Sequence, residues 1–241
     1  MRMNMTRGGL AAGCVTLALL MAGPDPVGVE LAALAQPTQA TAAPRQPAPA
    51  PSDAALTRGL DLARRGRHEE ALQQLREFVR SKPGDANVPR AYHGIGRSLL
   101  ALGRKDEALT AFREMLSRRA GDPDGLSGVA DTLYAQDKLK EAADAYYAFL
   151  RVRPNQTDAM MNLATALVKL DRDDEAREIF RAVTELKPTF VEARVDYAYA
   201  LANTGRYGDS VREFRKAAEM EKDPKKRAEI EAAIAELLGN H

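Results

Sequence analysis

Residues 157–190 read TDAMMNLATALVKLDRDDEAREIFRAVTELKPTF, and the apolar spacing within them decides the fold. Leu163, Ala164 and Leu167 fall on one face of a first helix, because residues three and four apart meet at 3.6 residues per turn. Ala176, Phe180 and Val183 fall in the same way on one face of a second helix. Small residues on the first face let the two helices approach closely, and the aromatic of the second fills the gap between them. Neither helix can bury its apolar face alone, so the pair must stack on neighbours of its own kind.

Those neighbours are present. The dipeptide Glu175-Ala176 recurs as Glu70-Ala71, Glu107-Ala108 and Glu141-Ala142, with Asp209-Ser210 in the fifth register, at intervals of 37, 34, 34 and 34 residues. Four residues beyond each anchor stands a large side chain: Leu75, Phe112, Tyr146, Phe180 and Phe214. Twelve before it stands a small one: Gly59, Gly96, Ala130, Ala164 and Ala198. Nine before it is leucine every time, namely Leu62, Leu99, Leu133, Leu167 and Leu201. Gly66, Gly103 and Gly205 sit between the paired helices and suit the positive φ of a helix C-terminus, while Asp137 and Asp171 occupy the other two registers. Pro83, Pro154 and Pro188 end second helices, and Asp122-Pro123 reads as an N-cap followed by proline at the first helical position.

The period and these columns resemble the tetratricopeptide repeat family over residues 52–222. The resemblance implies an all-α, right-handed superhelical solenoid of five helix-turn-helix repeats, at 52–85, 89–122, 123–156, 157–190 and 191–222. The departures are Arg58 and Arg194 in a usually apolar column, Ala120 and Lys222 in place of proline, and three extra residues after Pro83. Beyond Asp223-Pro224, residues 223–241 carry Ile230, Ile234, Leu237 and Leu238, the pattern of an amphipathic helix that caps the fifth repeat.

The first fifty residues are of another kind. Arg2 and Arg7 precede an apolar run from Leu10 to Ala22, too short for a comfortable membrane span, and Ala33-Leu34-Ala35 is a small-x-small cleavage site. Residues 1–35 are therefore expected to be a signal peptide that releases a chain beginning at Gln36. The alternatives are an uncleaved membrane anchor or lipidation at Cys14, the sole cysteine, whose flanking Ala11-Ala12-Gly13 weakly resembles a lipobox. Residues 36–51, QPTQATAAPRQPAPAP, form an Ala/Pro-rich disordered linker. Leader and linker together suit a periplasmic protein of a Gram-negative bacterium.

Composition narrows the function. The 241 residues hold 35 Lys and Arg against 34 Asp and Glu, a net charge of +1, which leaves no electrostatic case for nucleic acid. Aromatics make up 5% and tryptophan is absent, so the core is built from Ala, Leu and Val. Among His68, His93 and His241 no second ligand falls at metal-site spacing beyond acidic neighbours of His68. Gly94-Ile95-Gly96 opens no phosphate loop, and Asp171-Arg172-Asp173-Asp174-Glu175 lacks the glycine and bidentate acid of a calcium loop. No catalytic residue, metal site or cofactor is expected.

The resemblance instead implies that first helices line a concave groove for a peptide or helix of a protein partner. Register by register, its candidate residues are Arg90, His93 and Arg97 in the second repeat and Asp124, Asp131 and Tyr134 in the third. They continue with Asp158, Met161 and Thr165 in the fourth and Glu192, Asp196 and Tyr199 in the fifth. The surface runs from basic to acidic. A clamp of Lys, Asn and Arg that some members use for a C-terminal carboxylate is not reproduced. The corresponding positions hold His93, Arg97, Gly128, Asp158 and Asn162 in one frame, and Ser127, Asp131, Asn162, Glu192 and Asp196 in the next. The expected function is a non-catalytic adaptor in the assembly of a cell-envelope, pilus or secretion complex. Self-association, or presentation of a substrate to a separate enzyme, are the alternatives.

Overall fold

A computed structural model describes residues 51–240. The expected signal peptide, the tether up to residue 50, Cys14 and His241 lie outside them; Pro51 already belongs to the first helix. Among the described residues the chain forms eleven helices and no strand. They are α1 (Pro51–Arg64), α2 (His68–Ser81), α3 (Val88–Ala101), α4 (Lys105–Arg118), α5 (Pro123–Ala135), α6 (Leu139–Val152), α7 (Thr157–Lys169), α8 (Asp173–Leu186), α9 (Val191–Asn203), α10 (Tyr207–Met220) and α11 (Pro224–Asn240). Each helix packs on the next, and α11 packs on α10.

One turn, repeated five times, sets the angle within each pair. Its central residue has positive φ at Gly66 (76°), Gly103 (75°), Asp137 (60°), Asp171 (63°) and Gly205 (77°). The following amide then turns back onto the carbonyl of the invariant leucine: Arg67 to Leu62, Arg104 to Leu99, Lys138 to Leu133, Arg172 to Leu167 and Arg206 to Leu201, all at 2.8–3.0 Å. This is a Schellman closure, which satisfies carbonyls that a helix end leaves free. The basic residue then starts the second helix, and in four repeats its side chain clasps the acid of the anchor. Arg67 meets Glu70 at 2.5 Å, Arg104 meets Glu107 and Arg172 meets Glu175 at 2.6 Å, and Arg206 meets Asp209 at 2.5 Å.

The anchor alanines Ala71, Ala108, Ala142 and Ala176 are fully buried, and so are Leu75, Tyr146, Phe180 and Phe214. Phe112 shows why small residues recur: a Cβ at Gly96 would stand 2.7 Å from its ring, and one at Gly128 on the next repeat would overlap it. In the fifth repeat Ser210 replaces the anchor alanine, and its hydroxyl donates to the Ala198 carbonyl at 2.7 Å. Arg194, in an apolar column, pairs with Glu213 at 2.6 Å, each side chain only 14% exposed, and also donates to the Pro188 carbonyl. Burial alone would push the Glu213 carboxyl up, but Lys216 and Arg194 together hold it below its ordinary value.

The capping helix departs from expectation at one residue. Ile230, Ala233 and Leu237 are buried against Phe214, Ala217 and Ala218, and Ile234 packs beside them. Leu238 is 60% exposed. Eight residues from Ile230 a helix has turned about 80° off the buried direction, whereas seven residues leave it about 20° off.

Candidate functional site

First helices of neighbouring repeats touch one another, α1 with α3, α3 with α5 and α5 with α7. The stack therefore closes up on their side, and that side is the inner face. Arg90 and Arg97 project from α3 and are exposed, while His93 between them is half-buried against the Phe112 ring at 6.2 Å. Burial holds the His93 imidazole below the ordinary histidine value; Asp124 opposes this, Arg97 reinforces it, and Asp122 opposes it again. Asp124 is exposed in the first turn of α5, where the Asp122 side chain accepts its amide hydrogen at 3.0 Å as the N-cap.

The middle of the face holds a polar network. Tyr146, in the ring register that is phenylalanine in repeats two, four and five, donates its hydroxyl to Asp131 Oδ1 at 2.7 Å. Asn162, on the next first helix, acts on the same hydroxyl and opposes the rise in its pKa that burial and Asp131 produce. Tyr134 meets the Tyr146 ring edge-on at 6.4 Å, and the Lys169 ammonium lies 5.3 Å above the Tyr134 ring. Asp131 is open to water from the groove yet hemmed in by the helices beside it. That desolvation pushes its carboxyl above the ordinary range, against the Tyr146 hydrogen bond and the charge of Arg97. Sequence reading places Tyr146 among the core rings only. The signal for its second role is the tyrosine itself, since a buried phenol requires a partner.

The fourth and fifth repeats differ from the pattern reading. Asp158 and Glu192 are exposed, but Met161 is 4% and Thr165 7% exposed, and the Thr165 hydroxyl is turned back onto the Met161 carbonyl at 2.8 Å. These two are packing residues: Met161 belongs to the central core cluster, and a threonine bonded to its own helix offers no donor to a ligand. Asp196 is also buried, at 9%. Tyr199 is half-buried edge-on to Phe214 at 4.9 Å. Its hydroxyl is pushed up by burial, and also by the charges of Glu236, Asp196 and Glu229. Two of those acids belong to α11, and Lys226 of α11 approaches Glu192 at 3.7 Å. The capping helix thus shapes the acidic end of the face, which the sequence reading assigned to repeats alone.

Two concavities flank α3. On the outer side, α2, α3 and α4 enclose a furrow of about 750 Å³ over Leu72, Ile95 and Leu99. Its rim charges are engaged: Arg76 meets Glu107 at 3.3 Å and Arg80 meets Glu77 at 2.6 Å. On the inner side, a cleft of about 510 Å³ is lined by Arg64, His68, Arg90, His93, Arg97 and Ser98, with no acidic residue in its lining. Among the described residues no helix is long and apolar enough to cross a membrane, and no group of three or more His, Cys, Asp or Glu is placed to hold a metal ion.

Comparison with known proteins agrees with this architecture. A family model described as tetratricopeptide repeat matches residues 32–86, 56–125, 93–156, 128–189 and 163–227. No curated protein matches the chain. Among solved structures, a tetratricopeptide repeat protein from Parabacteroides merdae superposes with a TM-score of 0.69 at 19% identity, over 78% of this chain and 73% of that one. MamA from Desulfovibrio magneticus, from its residue 41 to the end, superposes with a TM-score of 0.65 at 21% identity, over 71% of this chain and 95% of that one. At such identities the likeness is one of fold, whereas the family model spans every repeat from the first to the fifth: the chain belongs to the tetratricopeptide repeat family.

Proposed function

We propose that the chain is an exported, non-catalytic adaptor that takes a segment of a protein partner along its inner face, in the assembly of a cell-envelope, pilus or secretion complex. The observation that carries the adaptor reading is the contrast in charge between its surfaces. Rim charges of the outer furrow are engaged with each other, while Arg90 and Arg97 on the inner face stand in no ion pair among the described residues. Unpaired guanidiniums beside a half-buried histidine form a surface ready for an acidic segment. The leader and the Ala/Pro tether support the export and periplasmic part of the reading. The change from Arg90 and Arg97 to Asp158, Glu192, Glu229 and Glu236 along the face favours a second reading, head-to-tail self-association.

The test is capture from the periplasmic fraction of the source bacterium with a C-terminally tagged full chain, beside an Arg90→Ala/His93→Ala/Arg97→Ala variant of unchanged helicity. One defined complex is expected with the parent and not with the variant, on a bait whose N-terminus begins at Gln36. Equal recovery with both proteins moves the site off the inner face. Recovery of the bait alone selects self-association.

A further inference from the structure

The last helix, α11, stands in the register of a first helix. Thirty-four residues beyond Ala198 and Leu201 of the fifth repeat, the small column and the leucine column reach Ala232 and Ala235, and Lys226 lies 3.7 Å from Glu192, its counterpart in α9. In the fourth repeat the same columns, Ala164 and Leu167, are fully buried, with α8 packed on their helix. In α11 they are exposed, together with Ala228, Glu231 and Leu238, and among the described residues no helix packs over them. Ile230, Ala233 and Leu237, on the opposite side, hold α11 to α10.

The charges of α11 run against its own dipole. Lys225, Lys226 and Arg227 fill the first turn, which holds no acid, and Glu229, Glu231 and Glu236 follow, with no base in the last turn. A helix by itself favours the opposite order, acids at its start and bases at its end. Arg227 donates to the Glu221 carbonyl at 3.1 Å, whereas Lys225, Glu231 and Glu236 stand in no ion pair among the described residues. At 3.6 residues per turn Lys225 and Glu236 fall about 20° apart on one flank of the uncovered face, and Arg227 and Glu231 about 40° apart on the other.

We propose that two copies of this chain pair through the uncovered face of α11, the two helices lying antiparallel across a two-fold axis near Ile230. Antiparallel packing sets the basic start of each helix beside the acidic end of the other, so Lys225 meets Glu236 of the second copy and Arg227 meets Glu231 of the second copy, each twice. Ala228 and Ala232 meet where the helices cross, and their small side chains admit a close approach. All three pairings are centred within one residue of Ile230, so a single register satisfies them. A second copy fits better than an unrelated helix, because α11 supplies both halves of the match. Two helices of 17 residues, each about 25 Å long, make a small interface, and the dimer is accordingly weak and dependent on concentration. The contact is independent of the Arg90 and Arg97 end of the inner face, and it joins like surfaces, whereas head-to-tail association joins unlike ones.

Sedimentation equilibrium of the untagged full chain over a concentration series tests it. Lys225→Glu and Glu236→Lys should each raise the dimer dissociation constant about tenfold, since each change turns two attractive pairs into repulsive ones. The Lys225→Glu/Glu236→Lys double variant should return it to within about threefold of the parent. Within one helix these two residues are about 16 Å apart, too far for direct pairing, so rescue has to come across the two copies. The double variant also sets the charges in the order that the dipole of α11 favours, and circular dichroism of each variant separates lost pairing from lost helix. The proposal is overturned if the parent stays monomeric up to about 1 mM, if the single variants associate as the parent does, or if the double variant dimerises no better than the singles. Loss of the dimer in the Arg90→Ala/His93→Ala/Arg97→Ala variant, with the α11 variants unaffected, would overturn it in favour of self-association through the inner face.

Discussion

In the third repeat the ring that fills the helix pair is a tyrosine, and one oxygen atom changes what the groove floor can do. The phenol donates to Asp131 at 2.7 Å, which ties the first and second helices of the third repeat together, and Asn162 of the next first helix acts on the same hydroxyl. The arrangement has a cost, because the Asp131 carboxylate is partly desolvated and its folded pKa is raised. The sign follows from linkage. A raised folded pKa means that the native state holds the proton more tightly than the unfolded chain does, so Asp131's contribution to stability is complete below the ordinary aspartate value and is lost as pH rises through the folded one. Asp131→Asn keeps an acceptor for Tyr146 and removes the charge. Its Tm at pH 7 should equal or exceed that of the parent, and the difference should close as the pH is lowered below the ordinary aspartate range, read by circular dichroism melts across pH. A lower Tm at pH 7 would show that the charge itself is required, through Arg97.

At the scale of the element, the repeated turn explains which features were legible beforehand. The leucine column is constant because its side chain is buried in the core in every repeat; the carbonyl that closes the Schellman turn there is backbone and makes no demand on residue type. Glycine at the turn centre is readable because the position has positive φ. Asp137 and Asp171 are less so, since an L-residue at φ near 60° is tolerated at a cost rather than selected by geometry. Asp137→Gly should accordingly stabilise the protein by about 0.5–1 kcal/mol, with the relief of αL strain partly offset by a freer unfolded chain. Chemical denaturation is the measurement. An unchanged midpoint would mean that the long Asp137–Lys169 contact, 3.9 Å, offsets the strain. Departures from the columns needed the structure, because their compensation lies elsewhere in the chain. Arg194 fits an apolar register only because Glu213 waits on the facing helix, and Ser210 only because the Ala198 carbonyl is within reach.

For the stack as a whole, the candidate face was readable in outline but not in depth. Helical spacing distinguishes the inner face from the core face by angle alone, and Met161 and Thr165 lie near the boundary, where burial by the next repeat decides. Contributions from outside a repeat, such as the α11 acids around Tyr199, have no register from which to be read. The same helix carries a thermodynamic role that can be separated from its charge. Repeat arrays are stabilised by neighbour interfaces, so removing a cap acts first on the repeat beneath it. Ending the chain at Asp223 removes Ile230, Ala233 and Leu237 from the apolar side of Phe214, Ala217 and Ala218. At about 1.5–3 kcal/mol for each large buried aliphatic, the local loss is about 3 kcal/mol or more. Amide exchange in α9 and α10 should then accelerate roughly a hundredfold or more, while α3 to α6 change far less. Uniform acceleration through every helix would instead mean that the five repeats unfold as one cooperative unit. Substituting Glu229 and Glu236 with glutamine in the intact chain provides the matching control: it lowers the acidity around Tyr199 while leaving the buried stripe of α11 in place, and should leave exchange in α9 and α10 unaltered.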